Sequence, residues 1–161
     1  MNIVACRVDE RLVHGQIMTS WSKRLHLKRI VIVDDAVAKD DFMRTVLTMS
    51  APAGVAIEIL SAADAAQRVQ DDAETENAML LFKGVASALE LARSLAGTPH
   101  MISELNLGNL GSGPGRTELT KRVFLSDDER DQVRELQGLG VRVFLQMLYT
   151  DPAVDVTKDM L

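Results

Sequence analysis

Short apolar strands alternate with segments of helical periodicity along the chain. Residues Ile3–Val8 and Arg29–Val33 are apolar on both faces and rich in β-branched side chains, which is typical of strands in a covered parallel sheet. Between them, apolar residues recur at helical spacing over residues 15–25. This order of strand, helix and strand predicts a βαβ unit.

The alternation continues to the C-terminal segment. Further strands are predicted at Val55–Leu60, Met79–Phe82, Met101–Leu107, Val123–Leu125 and Val141–Leu145, further helices at Lys39–Ser50, from Ser61, at Val85–Ala96 and at Ser126–Leu139, and a short helix or frayed tail after Pro152. Ser61 with Asp64 has the spacing of a helix N-cap. Ser126 with Glu129 has that of a capping box. We predict one domain over residues 1–161, an open three-layer α/β/α fold with a mainly parallel sheet of about seven strands and helices on both faces.

The composition excludes several classes of partner. The net charge is −5 and the basic residues are scattered, so no surface for nucleic acid or for an anionic membrane is expected. No apolar run approaches the about 18 residues that a membrane span requires, which predicts a cytoplasmic protein without direct membrane insertion. The single cysteine, Cys6, stands in an apolar run and is predicted to be a buried thiol in a reducing compartment.

The loop Asp9–Gln16 follows the first predicted strand and is the richest in reactive groups. Ligands of an open parallel sheet bind beyond the carboxyl ends of its strands, and this loop lies at such an end. It places Arg11 three residues before His14, and Gly15 at the start of a helix. An alternative is that His14 only caps the helix or satisfies a loop carbonyl.

The residues of this loop suit a phosphoryl acceptor. An imidazole has a reference pKa of about 6.5, so it is largely a neutral nucleophile near pH 7. The helix N-terminus after His14 favours the neutral ring before transfer and the phosphate dianion after it. Arg11 offers a planar fork that binds two phosphate oxygens, and Gly15 lets the backbone approach closely. Either Asp9 or Glu10 is placed to hold the other ring nitrogen, and we favour Asp9.

The string Arg7–Gln16, RVDERLVHGQ, resembles the signature of the IIB component of the mannose/fructose/sorbose family of the bacterial sugar phosphotransferase system. Other segments resemble those of the family in the same order along the chain: Val31–Asp35 with Ala38–Asp40, Ala51–Val55, Leu80–Phe82, Asn106–Asn109 and Thr150–Pro152. The resemblance therefore extends over essentially the whole chain.

The resemblance implies a function and a set of site residues. His14 would accept a phosphoryl group, on Nδ1, from the phosphohistidine of a IIA partner, with Arg11 supporting the phosphate. The group would then pass to a sugar through membrane IIC and IID subunits, and neither a cofactor nor a metal is implied. Supporting roles are expected for Asp9, Arg7, Gly15, Gln16 and Asn106. The identity of the sugar and self-association into a homo-oligomer are left open.

Two departures from the family pattern concern the surroundings of the site. Glu10 stands where relatives usually have a second aspartate, and the glycine-rich segment Leu107–Arg116 resembles that of relatives handling amino sugars. We expect this segment to be a mobile loop that walls the site, with Asn106 and Arg116 as further phosphate contacts or as turn residues. Arg7, at the end of the first strand, either orders the site from beneath or pairs with an acid.

Other patterns have simpler interpretations. Asp34 and Asp35 resemble the paired acids that hold Mg²⁺ in phosphoaspartate receivers, but we favour N-capping of the next helix. His26 and His100 lack ligand-spaced neighbours and are expected at the surface, and Trp21 is expected to anchor a helix to the sheet. The alternative function is a non-transporting regulatory module that reports phosphorylation state by docking to a partner, and the intact motif argues against it.

Overall fold

The computed structural model describes the backbone of residues 1–161 and every side chain except that of Gln16. The strands are β1 (Asn2–Asp9), β2 (Arg29–Val33), β3 (Ala56–Leu60), β4 (Asn77–Phe82), β5 (Glu104–Asn109), β6 (Arg116–Thr120), β7 (Val123–Ser126), β8 (Arg142–Leu145) and β9 (Val154–Asp155). The helices are α1 (Gly15–Arg24), α2 (Asp35–Ala38), α3 (Asp41–Met49), α4 (Ala62–Asp71), α5 (Val85–Leu95) and α6 (Asp127–Gly138), followed by a 3₁₀ turn at Lys158–Met160. Of the helices described, none is long and apolar enough to cross a membrane.

Seven of the strands form one sheet in the order β3-β2-β4-β1-β5-β8-β9. Every pairing in this sheet is parallel except that of β8 with β9, so the predicted mainly parallel sheet is confirmed. The central strand β1 pairs with β4 on one side, where Cys6 lies opposite Leu80. On its other side it pairs with β5, where Arg7 lies opposite Asn106. The carboxyl end of β1 is therefore flanked by strand ends on both sides.

Helices cover both faces of the sheet, and each face has its own core. The core beneath α1, α2 and α3 contains Trp21, Val37 and Leu47 from the helices and Ile32 and Leu81 from the strands. The core beneath α4, α5 and α6 contains Ala65, Leu91 and Leu136 from the helices and Val31 and Leu80 from the strands. Neighbouring residues such as Val31 and Ile32 enter opposite cores because side chains alternate along a strand. The predicted three-layer architecture is confirmed.

Two helix caps and the buried cysteine were predicted correctly. The Ser61 hydroxyl accepts a hydrogen bond from the Asp64 amide at 3.1 Å. Ser126 and Glu129 form a reciprocal capping box, with both hydrogen bonds at 3.1 Å. Cys6 is buried, and burial raises the pKa of its thiol to about 12. This thiol is therefore protonated and unreactive near neutral pH.

Two predicted boundaries were wrong. The predicted helix Lys39–Ser50 corresponds to α3, which begins only at Asp41, and the short helix α2 that precedes it was not predicted. Asp34 and Asp40 cap the two separate starts. Each carboxylate accepts a hydrogen bond from the amide three residues further on, at 2.9 and 3.0 Å. The predicted strand Met101–Leu107 begins only at Glu104, where its pairing with β8 starts.

The segment Val123–Leu125 was wrongly predicted as a strand of the main sheet. It belongs to β7, which pairs antiparallel with β6 in a separate hairpin. The segment after Pro152 forms β9, an antiparallel edge strand, before the 3₁₀ turn. The glycine-rich segment Leu107–Arg116 covers the end of β5 and the connection to β6, and its first glycine, Gly108, lies inside β5.

A cluster of charged side chains lies at the amino edge of the sheet, where the parallel strands begin, opposite to the predicted site. Arg29, at the start of β2, is buried and forms ion pairs with Asp72, Glu74 and Glu76, and a longer one of 3.9 Å with Glu58. The side chain of Asp72 is 1% exposed and lies 3.1 Å from the N-terminal amine. Burial raises the pKa of Asp72, but hydrogen bonds from the Glu74 amide, Arg29 and the N-terminal amine outweigh it and hold the pKa below its ordinary value. The cluster ties β2 to the segment between α4 and β4.

Candidate active site

The site lies where the direction of the chain connections reverses. After β1 the chain crosses to β2 on one side of β1, whereas after β5 it continues to β8 on the other side. In open α/β sheets such a reversal leaves a crevice beyond the carboxyl ends of the two strands, and ligands bind there. The loop after Asp9 starts at the end of β1 and borders this crevice.

The loop after Asp9 turns sharply and presents His14 at the start of α1. The Leu12 amide donates a hydrogen bond to the Asp9 carbonyl at 2.9 Å, which closes the turn. Leu12 has a φ of +58°, a left-handed conformation that is uncommon outside glycine. The side chains of Leu12 and Val13 are buried, whereas His14, the N-cap residue of α1, is 22% exposed. The two apolar residues therefore anchor the loop and leave the imidazole accessible.

A buried carboxylate holds one nitrogen of the imidazole. Asp9 Oδ2 lies 3.1 Å from His14 Nε2, and the Asp9 side chain is fully buried. Because an ionised carboxylate only accepts hydrogen bonds, this contact places the proton of the neutral ring on Nε2 and leaves a lone pair on Nδ1. Nδ1 forms no hydrogen bond with any side chain or amide that the structure describes. The arrangement can therefore present Nδ1 as a nucleophile.

Two arginines neutralise the Asp9 carboxylate. Arg11 Nε lies 3.1 Å from Oδ1 and Nη2 lies 3.1 Å from Oδ2, and the Arg11 amide also donates to Oδ1 at 3.1 Å. Arg7 Nη2 lies 3.5 Å from Oδ2. Burial raises the pKa of Asp9, but hydrogen bonds from Arg11 and His14 outweigh it and hold the pKa below its ordinary value. The carboxylate is therefore ionised near neutral pH.

Arg7 forms the floor of the site. Its Nη1 donates to the Gln146 carbonyl at 2.8 Å, and its Nη2 donates to the Met147 carbonyl at 3.1 Å. The guanidinium lies over Trp21, with Cζ 5.1 Å from the ring centroid, and Trp21 Nε1 donates to the same Met147 carbonyl at 3.1 Å. Burial lowers the pKa of Arg7, and the nearby Asp9 opposes this effect. Arg7 thus lies beneath the site and also pairs with an acid, which combines the two predicted alternatives.

Glu10 and Arg116 connect the site loop to the glycine-rich segment. Glu10 accepts a hydrogen bond from the Gly111 amide at 2.7 Å, and its carboxylate lies 3.3 Å from Arg116. Arg116 also forms two hydrogen bonds with Glu129 at the start of α6, at 2.9 and 3.1 Å. The acid in contact with the imidazole is therefore Asp9, and the Arg116 cation is neutralised by two other carboxylates.

The remaining predicted site residues take different places. Asn106 is buried in β5, where its Oδ1 accepts a hydrogen bond from the Gln146 amide at 3.0 Å. It supports the loop that also holds Arg7. Gly15 begins α1 with a φ of +43°, a left-handed conformation that favours glycine. The side chain of Gln16 lies outside the described residues.

Sequence reasoning missed three contributors to the site: Gly108, Gln146 and Met147. Gln146 and Met147 contribute backbone carbonyls, for which side-chain patterns contain no signal. Gly108 lies in β5 directly against the guanidinium of Arg7. A glycine inside a strand indicates the close approach of another group, but the predicted strand ended at Leu107, so this signal appears only once β5 is seen to extend to Asn109.

No group of three or more His, Cys, Asp or Glu side chains in the described part of the chain could hold a metal ion. Asp34 accepts a hydrogen bond from the Val37 amide at 2.9 Å and so caps α2. Asp35 accepts one from the Ala62 amide at 2.9 Å, at the start of α4. The predicted N-capping of the next helix is confirmed for Asp34, whereas Asp35 binds the start of α4 instead.

Comparison with known proteins places the chain among sugar phosphotransferase components. Residues 3–161 match the family described as PTS system sorbose subfamily IIB component. A sorbose-specific EIIB component of Lacticaseibacillus casei is 35% identical over 157 residues, 97% of this chain and 93% of the relative. A mannose-specific EIIAB component of Escherichia coli strain K12 is 30% identical over 154 residues, 94% of this chain and 46% of the relative. The crystal structure of the IIBSor domain of the Klebsiella pneumoniae sorbose permease superposes with a TM-score of 0.85 at 35% identity, covering 96% of this chain and 93% of that one.

Proposed function

The chain belongs to the sorbose subfamily of IIB components of the phosphotransferase system, and on that premise we propose that His14 is the residue on which it carries the phosphoryl group. IIB components are phosphocarriers in sugar uptake, and this chain would be a protein-histidine phosphotransferase. The contact of 3.1 Å between Nε2 and the buried Asp9 is the main support. It orients the ring and leaves the Nδ1 lone pair for bond formation.

Each proposed transfer replaces one bond to phosphorus with another. In the first, His14 Nδ1 attacks the phosphohistidine of a IIA partner, and the new N–P bond forms as that of the donor breaks. The donor ring leaves as a neutral imidazole. In the second, a sugar hydroxyl attacks the phosphorus, the O–P bond forms and the N–P bond breaks. The His14 ring leaves as a neutral imidazole with its proton on Nε2, and the hydroxyl proton passes to solvent. Catalysis is then mostly positioning and stabilisation of charge.

Arg11 is the residue that we assign to the phosphoryl oxygens. Its side chain is 37% exposed, so it can turn from Asp9 towards the crevice. The planar guanidinium fits two oxygens of a phosphoryl group. Helix α1 begins directly after His14 and adds the positive end of its dipole. Both features stabilise the dianion on Nδ1.

The proposed partners are a IIA phosphocarrier and the membrane subunits IIC and IID. IIB components of this family work with such partners, and the relative named EIIAB unites IIA with IIB in its name. The two relatives above are named for different sugars, sorbose and mannose. We also propose that the membrane subunits select the sugar and that this chain delivers the phosphoryl group from the cytoplasmic side.

Transfer from a charged IIA partner tests the proposed function. The purified chain is incubated with IIA that has been phosphorylated through the general phosphotransferase proteins, and membranes containing IIC and IID are then added with sugar. We expect the chain to gain a phosphoryl group and to lose it as sugar phosphate appears. No gain from any IIA tested, or sugar phosphate formation that does not require the chain, contradicts the proposal.

We expect Asp9→Asn to slow phosphoryl transfer to His14 by roughly 100-fold. A ring that holds a proton on Nε2 and a phosphoryl group on Nδ1 is cationic, and a neutral amide does not stabilise that charge. The amide NH₂ can also donate to Nε2 and favour the wrong tautomer. Rapid-quench kinetics with charged IIA measure the effect. Glu10→Gln is the matched control, because Glu10 contacts Gly111 and Arg116, and equal slowing in both variants contradicts the assignment.

We expect Arg11→Ala to slow the same transfer by roughly 10-fold to 100-fold while leaving the fold intact. The side chain is partly exposed and its loss removes little packing, so the melting temperature should change by only a few degrees. Rapid-quench kinetics and circular dichroism measure the two quantities. Lys23→Ala, which removes an exposed cation of α1, serves as the control. A wild-type rate in Arg11→Ala would overturn the role of Arg11.

A further inference from the structure

Gly108 occupies a position in β5 where a side chain would collide with Arg7. A Cβ atom on Gly108 would lie 2.2 Å from Arg7 Cζ, 2.4 Å from Nη2 and 2.6 Å from Nη1. Gly108 is not one of the glycines with positive φ, so the backbone conformation does not require glycine here. The residue is therefore needed for the space that it leaves to the guanidinium.

Arg7 cannot leave this space without losing its contacts. Its side chain is 1% exposed, and its guanidinium donates to the Gln146 and Met147 carbonyls and lies over Trp21. A methyl group at position 108 would displace the guanidinium from these partners. It would also change the 3.5 Å contact of Arg7 with Asp9, which is the acid that holds the imidazole.

Arg7 and Arg11 hold Asp9 in different ways. Arg11 is 37% exposed, whereas Arg7 is enclosed by backbone carbonyls, an aromatic ring and β5. When Arg11 turns to a phosphoryl group, Asp9 remains buried, and a buried carboxylate without a cation takes up a proton. Arg7 is then the remaining arginine within reach of the carboxylate.

We propose that Gly108 is a positioning residue of the phosphoryl carrier, because its missing side chain makes room for Arg7. Arg7 acts as the fixed counter-charge of Asp9. It keeps the Asp9 carboxylate ionised and in contact with His14 Nε2 while Arg11 moves to the phosphoryl group. The inference rests on the proposed function of His14, but its effect on Asp9 is also present in the unphosphorylated protein.

The test is Gly108→Ala in the full chain, alone and combined with Arg7→Met. Carbon-13 NMR measures the titration of Asp9, nitrogen-15 NMR measures the share of the Nε2–H tautomer of His14, and rapid-quench kinetics measure transfer from charged IIA. We expect Gly108→Ala to raise the pKa of Asp9 by about one pH unit or more, to lower the share of that tautomer and to slow transfer roughly 10-fold. Gly138→Ala, where a Cβ meets nothing within 4 Å, is the matched control.

The combined variant separates the positioning role from a general loss of packing. Arg7→Met removes the group with which the new methyl collides, so adding Gly108→Ala should change each quantity by less than about twofold. The same effect of Gly108→Ala in both backgrounds contradicts the proposal. If Gly108→Ala does not fold, the combined variant should regain the melting temperature of Arg7→Met, and its failure to do so contradicts the proposal equally.

The two proposals fail in different ways. If wild-type His14 is not phosphorylated but Gly108→Ala still shifts the Asp9 titration and the tautomer, the phosphocarrier assignment fails and the positioning role stands. If wild-type transfer is normal and Gly108→Ala leaves titration, tautomer and rate unchanged, the positioning role alone is overturned.

Discussion

His14→Gln should abolish phosphoryl acceptance and leave the protein folded. Glutamine has a similar reach, but its amide nitrogen is not nucleophilic, so no N–P bond forms at this position. After incubation with charged IIA, intact mass spectrometry at neutral pH should show a gain of about 80 Da in the wild type and none in the variant. Acid treatment should remove the gain, because phosphorylated imidazoles hydrolyse in acid. Circular dichroism should show equal helix content in both proteins.

The other two histidines provide matched controls for this result. His26 follows α1 and His100 precedes β5, so both lie at the amino edge of the sheet, opposite to His14. His26→Gln and His100→Gln should gain the same mass as the wild type. A gain that persists in His14→Gln, or one that is lost in either control, would place the phosphoryl group elsewhere.

Arg29→Met should lower the free energy of unfolding by about 3 kcal/mol, because it removes the cation shared by the cluster and leaves Asp72 only the N-terminal amine at 3.1 Å and Arg68 at 3.6 Å. Methionine fills much of the volume of the arginine stem, but it leaves the buried Asp72 and the nearby Glu74 and Glu76 without their central cation. For a chain of this length the melting temperature should fall by roughly 6–12 °C. Thermal unfolding followed by circular dichroism measures it.

A surface ion pair supplies the control for Arg29→Met. Arg93 pairs with Glu135 between α5 and α6, where the two side chains are 57% and 45% exposed. Arg93→Met should leave the melting temperature nearly unchanged, because solvent screens such pairs. Similar losses in Arg29→Met and Arg93→Met would show that the amino-edge cluster contributes no more than a surface pair.

Acid should weaken the contribution of the same cluster to stability, because it protonates Asp72. The pKa of Asp72 is lower in the folded protein than its ordinary value, so its contribution to stability is present above about pH 4 and is lost as the pH falls below that value. Arg29→Met removes one cause of the lowered pKa. Between about pH 6 and about pH 3, the melting temperature of the variant should therefore fall less than that of the wild type. An equal decrease in both proteins would contradict this account of Asp72.

The main sheet was predictable because local pattern and tertiary packing agree. All five residues of β2 are buried, and its apolar, β-branched sequence shows that burial directly. The hairpin was not predictable in this way, because Arg116–Thr120 is partly exposed and polar residues dominate it. Strand β9 is only two residues long, which is too short for any periodicity. Its pairing with β8 arises from the folded structure.

The site was predictable only as far as one loop contains it. Asp9, Arg11 and His14 lie within six consecutive residues, so their spacing favoured a common function, and the resemblance to the family specified it. The position of Arg7 in the site depends on hydrogen bonds to two carbonyls that lie 139 and 140 residues further along the chain. Side-chain periodicity does not encode contacts with distant backbone carbonyls. The same reason hid Gly108, since the group that it accommodates is visible only when β1 and β5 are paired.

The decisive measurement is nitrogen-15 NMR of the imidazole rings in the wild-type protein, before and after transfer from charged IIA. We predict that only His14 changes, that coupling to phosphorus appears at Nδ1 and that Nε2 keeps its proton beside Asp9. Phosphorus on Nε2, on another residue or on none would contradict the assignment of His14 Nδ1 as the carrier atom.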